Sequence, residues 1–234
     1  VATLFLDADL NIRLFTPAAK SLFDLIASEI GRSLDDLTRR FEVGDLLEAA
    51  VEAVEQPPAA RLYWGDLHGQ SLIGCGARSI DAYYAHARDF AGTDFSSHQA
   101  NCFLVSGEEW EETQASTQRH HDTGRFVSLL GVEWSAASPI GGDHNLYFPG
   151  DAAELHRCSH EFVADKSDVA TDLPHVEDLY RHYRNTDTLV AVHVGGRTAN
   201  LEWHEPGLDR LLEVHSTHAT SEWFLFDALR RGYR

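Results

Sequence analysis

Tyr63-Trp64-Gly65-Asp66-Leu67-His68-Gly69-Gln70-Ser71 reads as an apolar strand that turns sharply at glycines. Along it, Asp66, His68 and Gln70 occupy alternate positions and can face one side. An imidazole there suits zinc, iron or manganese, and the carboxylate two residues before it can fix its tautomer. Further along the chain the arrangement recurs. Residues 94–97 lead to His98, 126–132 to Glu133, 189–192 to His193 and 211–214 to His215, while His144 directly precedes the apolar run 145–148. Open parallel sheets and α/β barrels collect functional groups at strand ends, where distant segments converge on one pocket. A packing histidine has no reason to recur at that boundary.

Each motif also admits a structural reading. His98 in Asp94-Phe95-Ser96-Ser97-His98 can be a loop histidine with serine partners. Glu133 ends an apolar run and must be paired, bound to metal or reach solvent. Gly141-Gly142 before Asp143-His144 suits close backbone approach to a ligand, or an ordinary hairpin. His193-Val194-Gly195-Gly196-Arg197 adds a guanidinium able to bind phosphate or carboxylate bidentately. In Glu213-Val214-His215 either acidic or imidazole ligand is open, with His215 taken in the candidate set. The other histidines read as surface or packing residues, His204 and His218 undecided. No GxSxG, Walker-type or GxGxxG motif is present.

A net charge of −18 argues against nucleic acid and anionic membrane as general partners, and no apolar run approaches the ~20 residues of a membrane span. An anionic substrate would need local cations, which bound metal would supply. Three cysteines without a CxxC pair look like reduced thiols, which gives a cytoplasmic expectation. There is no methionine, so the chain reads as an excerpt.

All 14 histidines lie beyond residue 60, so the chain divides in two. Residues 1–55 alternate short strands with leucine- and alanine-rich helices: a hairpin-like pair at 2–6 and 12–15, a helix opening at Thr16-Pro17, and another at 45–54. Gln56-Pro57-Pro58 marks a linker over 56–60. Beyond it strand and helix alternate as a parallel α/β layout predicts. Helices are expected after Ser79, after a Ser106–Glu109 capping box, over 174–184 and over 222–231.

The ordered strings GDLHGQS, DFSSHQ, GRFV, LLGVEWS, HVGGR and EVHS make residues 61–234 resemble the PHP-like (polymerase and histidinol phosphatase) metallohydrolases. The resemblance implies a distorted (β/α)7 barrel with two or three divalent ions at the C-terminal strand ends. By motif, His68, His98, Glu133, His144 and His193 would be ligands, with Gln70 where the wider superfamily has a second histidine. The family's closing Asp-x-His motif would follow Arg234, so the barrel is expected to be incomplete at its C-terminus. Residues 2–50, LFLDADLNIRLFTPAAKSLFDLIASEIGRSLDDL among them, resemble a partial PAS segment of chemotaxis methyltransferase type, a small α+β fragment.

The expectation is therefore a metal-dependent phosphoesterase acting on a small anionic, phosphorylated substrate. Metal-activated hydroxide would attack, Arg197 would neutralise substrate charge, and Asp66 or Asp143 would orient ligands or accept the proton. The rival expectation is a PAS-type sensory or interaction module carrying a degenerate, non-catalytic barrel.

Overall fold

The computed structural model describes residues 4–6, 10–15, 30–34, 62–218 and 220–233. The chain divides into two compact units, Val1–Leu62 and Tyr63–Arg234.

In the first unit, β1 (Leu4–Leu6) and β2 (Ile12–Phe15) pair antiparallel, Leu4 opposite Phe15, as the alternating pattern predicts. Ile30-Gly31-Arg32-Ser33 returns along β2: Ile12 N–H donates to the Arg32 carbonyl at 2.8 Å, and Gly31 N–H to the Ile12 carbonyl. Gly31 has φ +91°, a left-handed geometry that glycine adopts without a Cβ penalty. Ile12 and Leu34 are buried. The helices expected from Pro17 and over 45–54, and the linker over 56–60, lie outside the described residues.

The second unit is mixed α/β, built on a six-stranded sheet curled into a half-barrel. Its strands are β3 (Gly65–Gly69), β4 (Phe95–His98), β5 (Val127–Ser135), β6 (Asp143–Phe148), β7 (Leu189–His193) and β8 (Leu211–Glu213). They lie side by side in chain order.

The layout departs from the parallel one expected. β3, β4 and β5 are parallel, β6 is antiparallel to both β5 and β7, and β7 and β8 are parallel. Residues 136–142 join β5 to β6 and hold only a short 3-10 turn, Ser138–Ile140. A parallel crossover needs roughly a dozen residues or more, so the chain doubles back. Because β6 is reversed, its first residues lie beside the last residues of β5 and β7: Asp143 faces Ser135, and His144 faces Trp134 and Val192. His144, read from the sequence as preceding its strand, is the second residue of β6, and this start of β6 lies at the same end of the sheet as the histidines that close their strands.

Four helices cover the sheet. α1 (Ile80–Asp89) starts at Ser79, whose hydroxyl accepts from Ala82 N–H. α2 (Gly107–His120) opens with the expected capping box, Ser106 and Glu109 satisfying each other's backbone N–H. α3 (Val176–Tyr183) buries Val176, Leu179, Tyr180 and Tyr183, the i, i+3, i+4, i+7 stripe of a helix packed on one face. α4 (Glu222–Arg230) is followed by Gly232 at φ +95°. The largest core cluster joins Leu130, Val132, Trp134, Leu146 and Val190 of the sheet to Leu179 and Tyr183 of α3. Each such buried aliphatic contributes roughly 1.5–3 kcal/mol relative to exposure. Among the described residues no helix is long and apolar enough to cross a membrane.

Candidate functional site

The curl brings the carboxyl ends of β3, β5, β7 and β8 and the amino end of β6 around one cavity of about 460 Å³. Asp66 and His68 arrive on β3, Glu133 on β5, Asp143 on β6, His193 on β7 and Glu213 on β8.

At its floor, His68, His193 and Glu213 each offer one donor atom, and these three atoms lie within 4.8 Å of one another. His68 Nδ1 is 3.0 Å and His193 Nδ1 3.2 Å from Glu213 Oε2. The two imidazole rings stand 4.4 Å apart, centre to centre. On its other side, His68 Nε2 is 3.6 Å from Glu133 Oε2. Two amides support the carboxylates: Asn145 Nδ2 donates to Glu213 Oε2 at 2.6 Å, and Asn101 Nδ2 donates to Glu133 Oε2. Glu133 is 4% exposed, so it does not cross into water and is held by pairing.

Burial works against a charged His68, but the hydrogen bonds and charges of Glu133 and Glu213 outweigh it and raise its pKa to about 10. Burial likewise opposes ionisation of Glu213, yet His193 and His68 bring it down to about 2. His68 is thus paired on both sides, with Glu133 and with Glu213. Asp143 behaves oppositely. Desolvation and the nearby Glu133 charge lift it to about 7, against the Arg197 backbone N–H that donates to Oδ2 at 2.8 Å. Its other oxygen is buried with no hydrogen-bond partner among the described residues.

Arg197 lines the cavity and lies over the Phe103 ring at 4.1 Å, while its Nη1 donates to the Ser135 carbonyl. Gly195 is required nearby. A Cβ there would stand 2.5–2.6 Å from the His193 ring and 2.7 Å from Asp143 Oδ2.

Of the residues singled out in the sequence, Asp66, His68, Gln70, Glu133, His193, Arg197 and His215 all line this cavity. Their engagement differs. Gln70 donates from Nε2 to the Gln99 carbonyl at 2.6 Å and accepts from Cys75 N–H at 3.3 Å, so both ends of its amide hold backbone. His215 is exposed beyond the end of β8, with Nδ1 2.6 Å from Thr220 Oγ1.

His144 and His98 are not brought to the cavity. His144 is fully buried, Nδ1 3.1 Å from the Gly142 carbonyl and Nε2 3.0 Å from Tyr180 Oη, and burial lowers its pKa to about 4. The pleat explains this: alternate residues of β6 face opposite sides, so Asp143 and Asn145 face the site and His144 the Tyr180 helix. His98 is buried with neither ring nitrogen hydrogen-bonded among the described residues, and burial depresses it to about 4.

Glu213, Asn145 and Asn101 are the members of the site that sequence motifs left out of the candidate set. For Glu213 the signal was present, as the acidic one of two choices only two residues apart in the chain. The two asparagines carry no spacing signal of their own.

Residues 1–93 match a family model for a PAS domain. The PAS match includes β1 and β2 and, in the second unit, β3 and α1. It agrees with the PAS-like reading of residues 2–50 and extends past it. No curated protein matches the chain.

Proposed function

We propose that this chain is a PAS-type sensory or interaction protein whose α/β unit carries a metal-binding pocket. The observation that carries the sensory reading is the PAS family match over residues 1–93, which contains the β1–β2 hairpin with Ile12 and Leu34 buried beside it. A module of this class works by binding a small molecule or a second copy. The test is a sedimentation-equilibrium or ligand-binding measurement on the full chain beside residues 63–234 alone. Self-association or binding by the full chain and not by 63–234 supports the reading. Identical behaviour of both would refute it.

A second reading is a metal-dependent phosphoesterase of PHP-like type, favoured by the converging His68, His193 and Glu213 at a polar cavity that also holds Arg197. The donor set fits: two imidazoles and a carboxylate suit zinc, iron or manganese. The fit extends to one ion, since His98 and His144 lie outside the cavity and the Gln70 amide is engaged with backbone. A divalent ion held there would lower the pKa of a bound water and polarise a phosphoryl oxygen. The chain's own groups would do the rest. Arg197 would pair with substrate oxygens, and Asp143, with its unpartnered oxygen and raised pKa, would take up a proton near neutral pH. Metal-dependent release of phosphate from an aryl phosphate, lost in His193→Ala, tests this; equal release by both proteins overturns it.

A further inference from the structure

Cys102 and Cys158 are separated by 56 residues, yet their sulfurs lie 3.6 Å apart. Cys102 opens the short 3-10 turn Cys102–Leu104 that follows β4. Cys158 lies in the connection between β6 and α3, residues 149–175, which holds no strand and only the 3-10 turn Val169–Thr171. Connections of this length without regular structure in a compact unit are commonly functional.

This one is anchored tightly on both sides of the cysteine. Arg157, fully buried, donates from Nε to the Val105 carbonyl at 2.8 Å and from Nη1 to Asp168 at 2.7 Å. Cys158 N–H itself points at Cys102 Sγ at 3.3 Å. The two thiols are therefore held in contact by the fold and not by chance side-chain rotation.

Cys158 also lines a second cavity, about 250 Å³, together with Phe103, Ile140, Phe162 and Arg197. A small hydroperoxide fits there and meets one sulfur first.

We propose that Cys102 and Cys158 form a reversible disulfide on exposure to a hydroperoxide, with Cys158 the attacking and Cys102 the resolving thiol. The Cys158 sulfur attacks the terminal peroxide oxygen, the O–O bond breaks, and water or an alcohol leaves with the proton from Cys158. The Cys102 sulfur then attacks the sulfenic sulfur, the S–O bond breaks, and a second oxygen leaves as water with the Cys102 proton. Two thiols give up two electrons, and the peroxide accepts them.

The assignment of roles follows the surroundings. A hydrogen bond from Cys102 lowers the Cys158 thiol below the usual range, burial opposes this, and the Arg197 charge assists. Burial pushes Cys102 up. Cys75, the third thiol, is exposed on the other cavity and has no sulfur partner.

The experiment treats the full chain carrying Cys75→Ser with one equivalent of hydrogen peroxide, then denatures it, blocks free thiols with iodoacetamide and digests it with trypsin. The expected result is a cross-linked pair of peptides, 89–119 with 158–166, and loss of both alkylatable thiols, reversed by dithiothreitol. In a Cys102→Ser chain, oxidation should stop at a sulfenic acid on Cys158 that dimedone traps. Two thiols still alkylated after peroxide, or oxygen added to Cys158 without cross-linking while Cys102 is intact, would overturn the proposal.

Discussion

His68 on the first strand of the sheet and Glu213 on the last are 145 residues apart in the chain, and their Nδ1 and Oε2 atoms are 3.0 Å apart in space. β3 and β8 are the two edges of the sheet, so this contact measures how far the sheet has curled. It joins the edges at their carboxyl ends through side chains, where a closed barrel would join them by backbone pairing. Everything the cavity can do depends on that meeting.

Removing either imidazole should therefore remove metal binding. His68→Ala and His193→Ala are expected to lower the affinity for zinc or manganese by more than the roughly 10–100-fold that loss of a supporting partner brings. Asn145→Ala, which takes away the Nδ2 donor to Glu213, should fall within that 10–100-fold band. Isothermal titration of the three variants checks the order. Equal affinities in wild type and His193→Ala would remove the site.

Metal binding should rise with pH. In the metal-free protein His68 carries a proton up to about pH 10, and a ligating imidazole must be neutral. Binding then expels one proton, and affinity is expected to grow about tenfold per pH unit over pH 6–8. Calorimetry in buffers of different ionisation enthalpy reads the proton directly, and no released proton would contradict the charged His68.

The same pair sets the stability of the metal-free fold. The folded pKa of His68 is raised above 6.5, so its contribution is complete below about pH 6.5 and is lost as pH rises through about 10. That of Glu213 is lowered from 4.5 to about 2, so its contribution is complete above pH 4.5 and lost as pH falls through about 2. The difference in urea midpoint between wild type and His68→Ala should be largest between pH 4.5 and 6.5 and shrink towards pH 10. A difference that grows above pH 8 would reverse the assigned sign.

Gly195→Ala places a methyl within 2.6 Å of the His193 ring and 2.7 Å of Asp143. Relief requires the ring to move, so metal affinity should drop while stability falls by about 1–3 kcal/mol. Gly207→Ala, where a Cβ meets no atom within 4 Å, is the control and should leave metal binding unchanged.

Local elements provide a separate check on the frame. Leu179→Ala empties a fully buried position between α3 and the sheet and should cost about 2–5 kcal/mol. Ser106→Ala removes half of a capping box and should cost about 1 kcal/mol. Chemical denaturation of the two variants should keep that order.

The four helices of the second unit, their caps at Ser79 and Ser106, and the hairpin of the first unit were legible because each rests on residues within a few positions of one another. The reversal of β6 was legible in principle, since residues 136–142 are too few for a crossover, but a strand–helix alternation read across the whole chain hides it.

For the described residues the sequence by itself determined which segments of the second unit are strands and helices and that imidazoles and carboxylates cluster at strand ends, because periodicity, capping and turn chemistry are local. Only the tertiary structure decided which of those groups meet. His144 and Asn145 are neighbours in the chain, and the pleat sends one to Tyr180 and the other to Glu213. Glu213 and His215 are two residues apart, and β8 ends at the first, so the second turns to Thr220. The curl of the sheet sets the distance from His68 to either. That curl arises from packing between residues far apart in sequence, which no short motif contains.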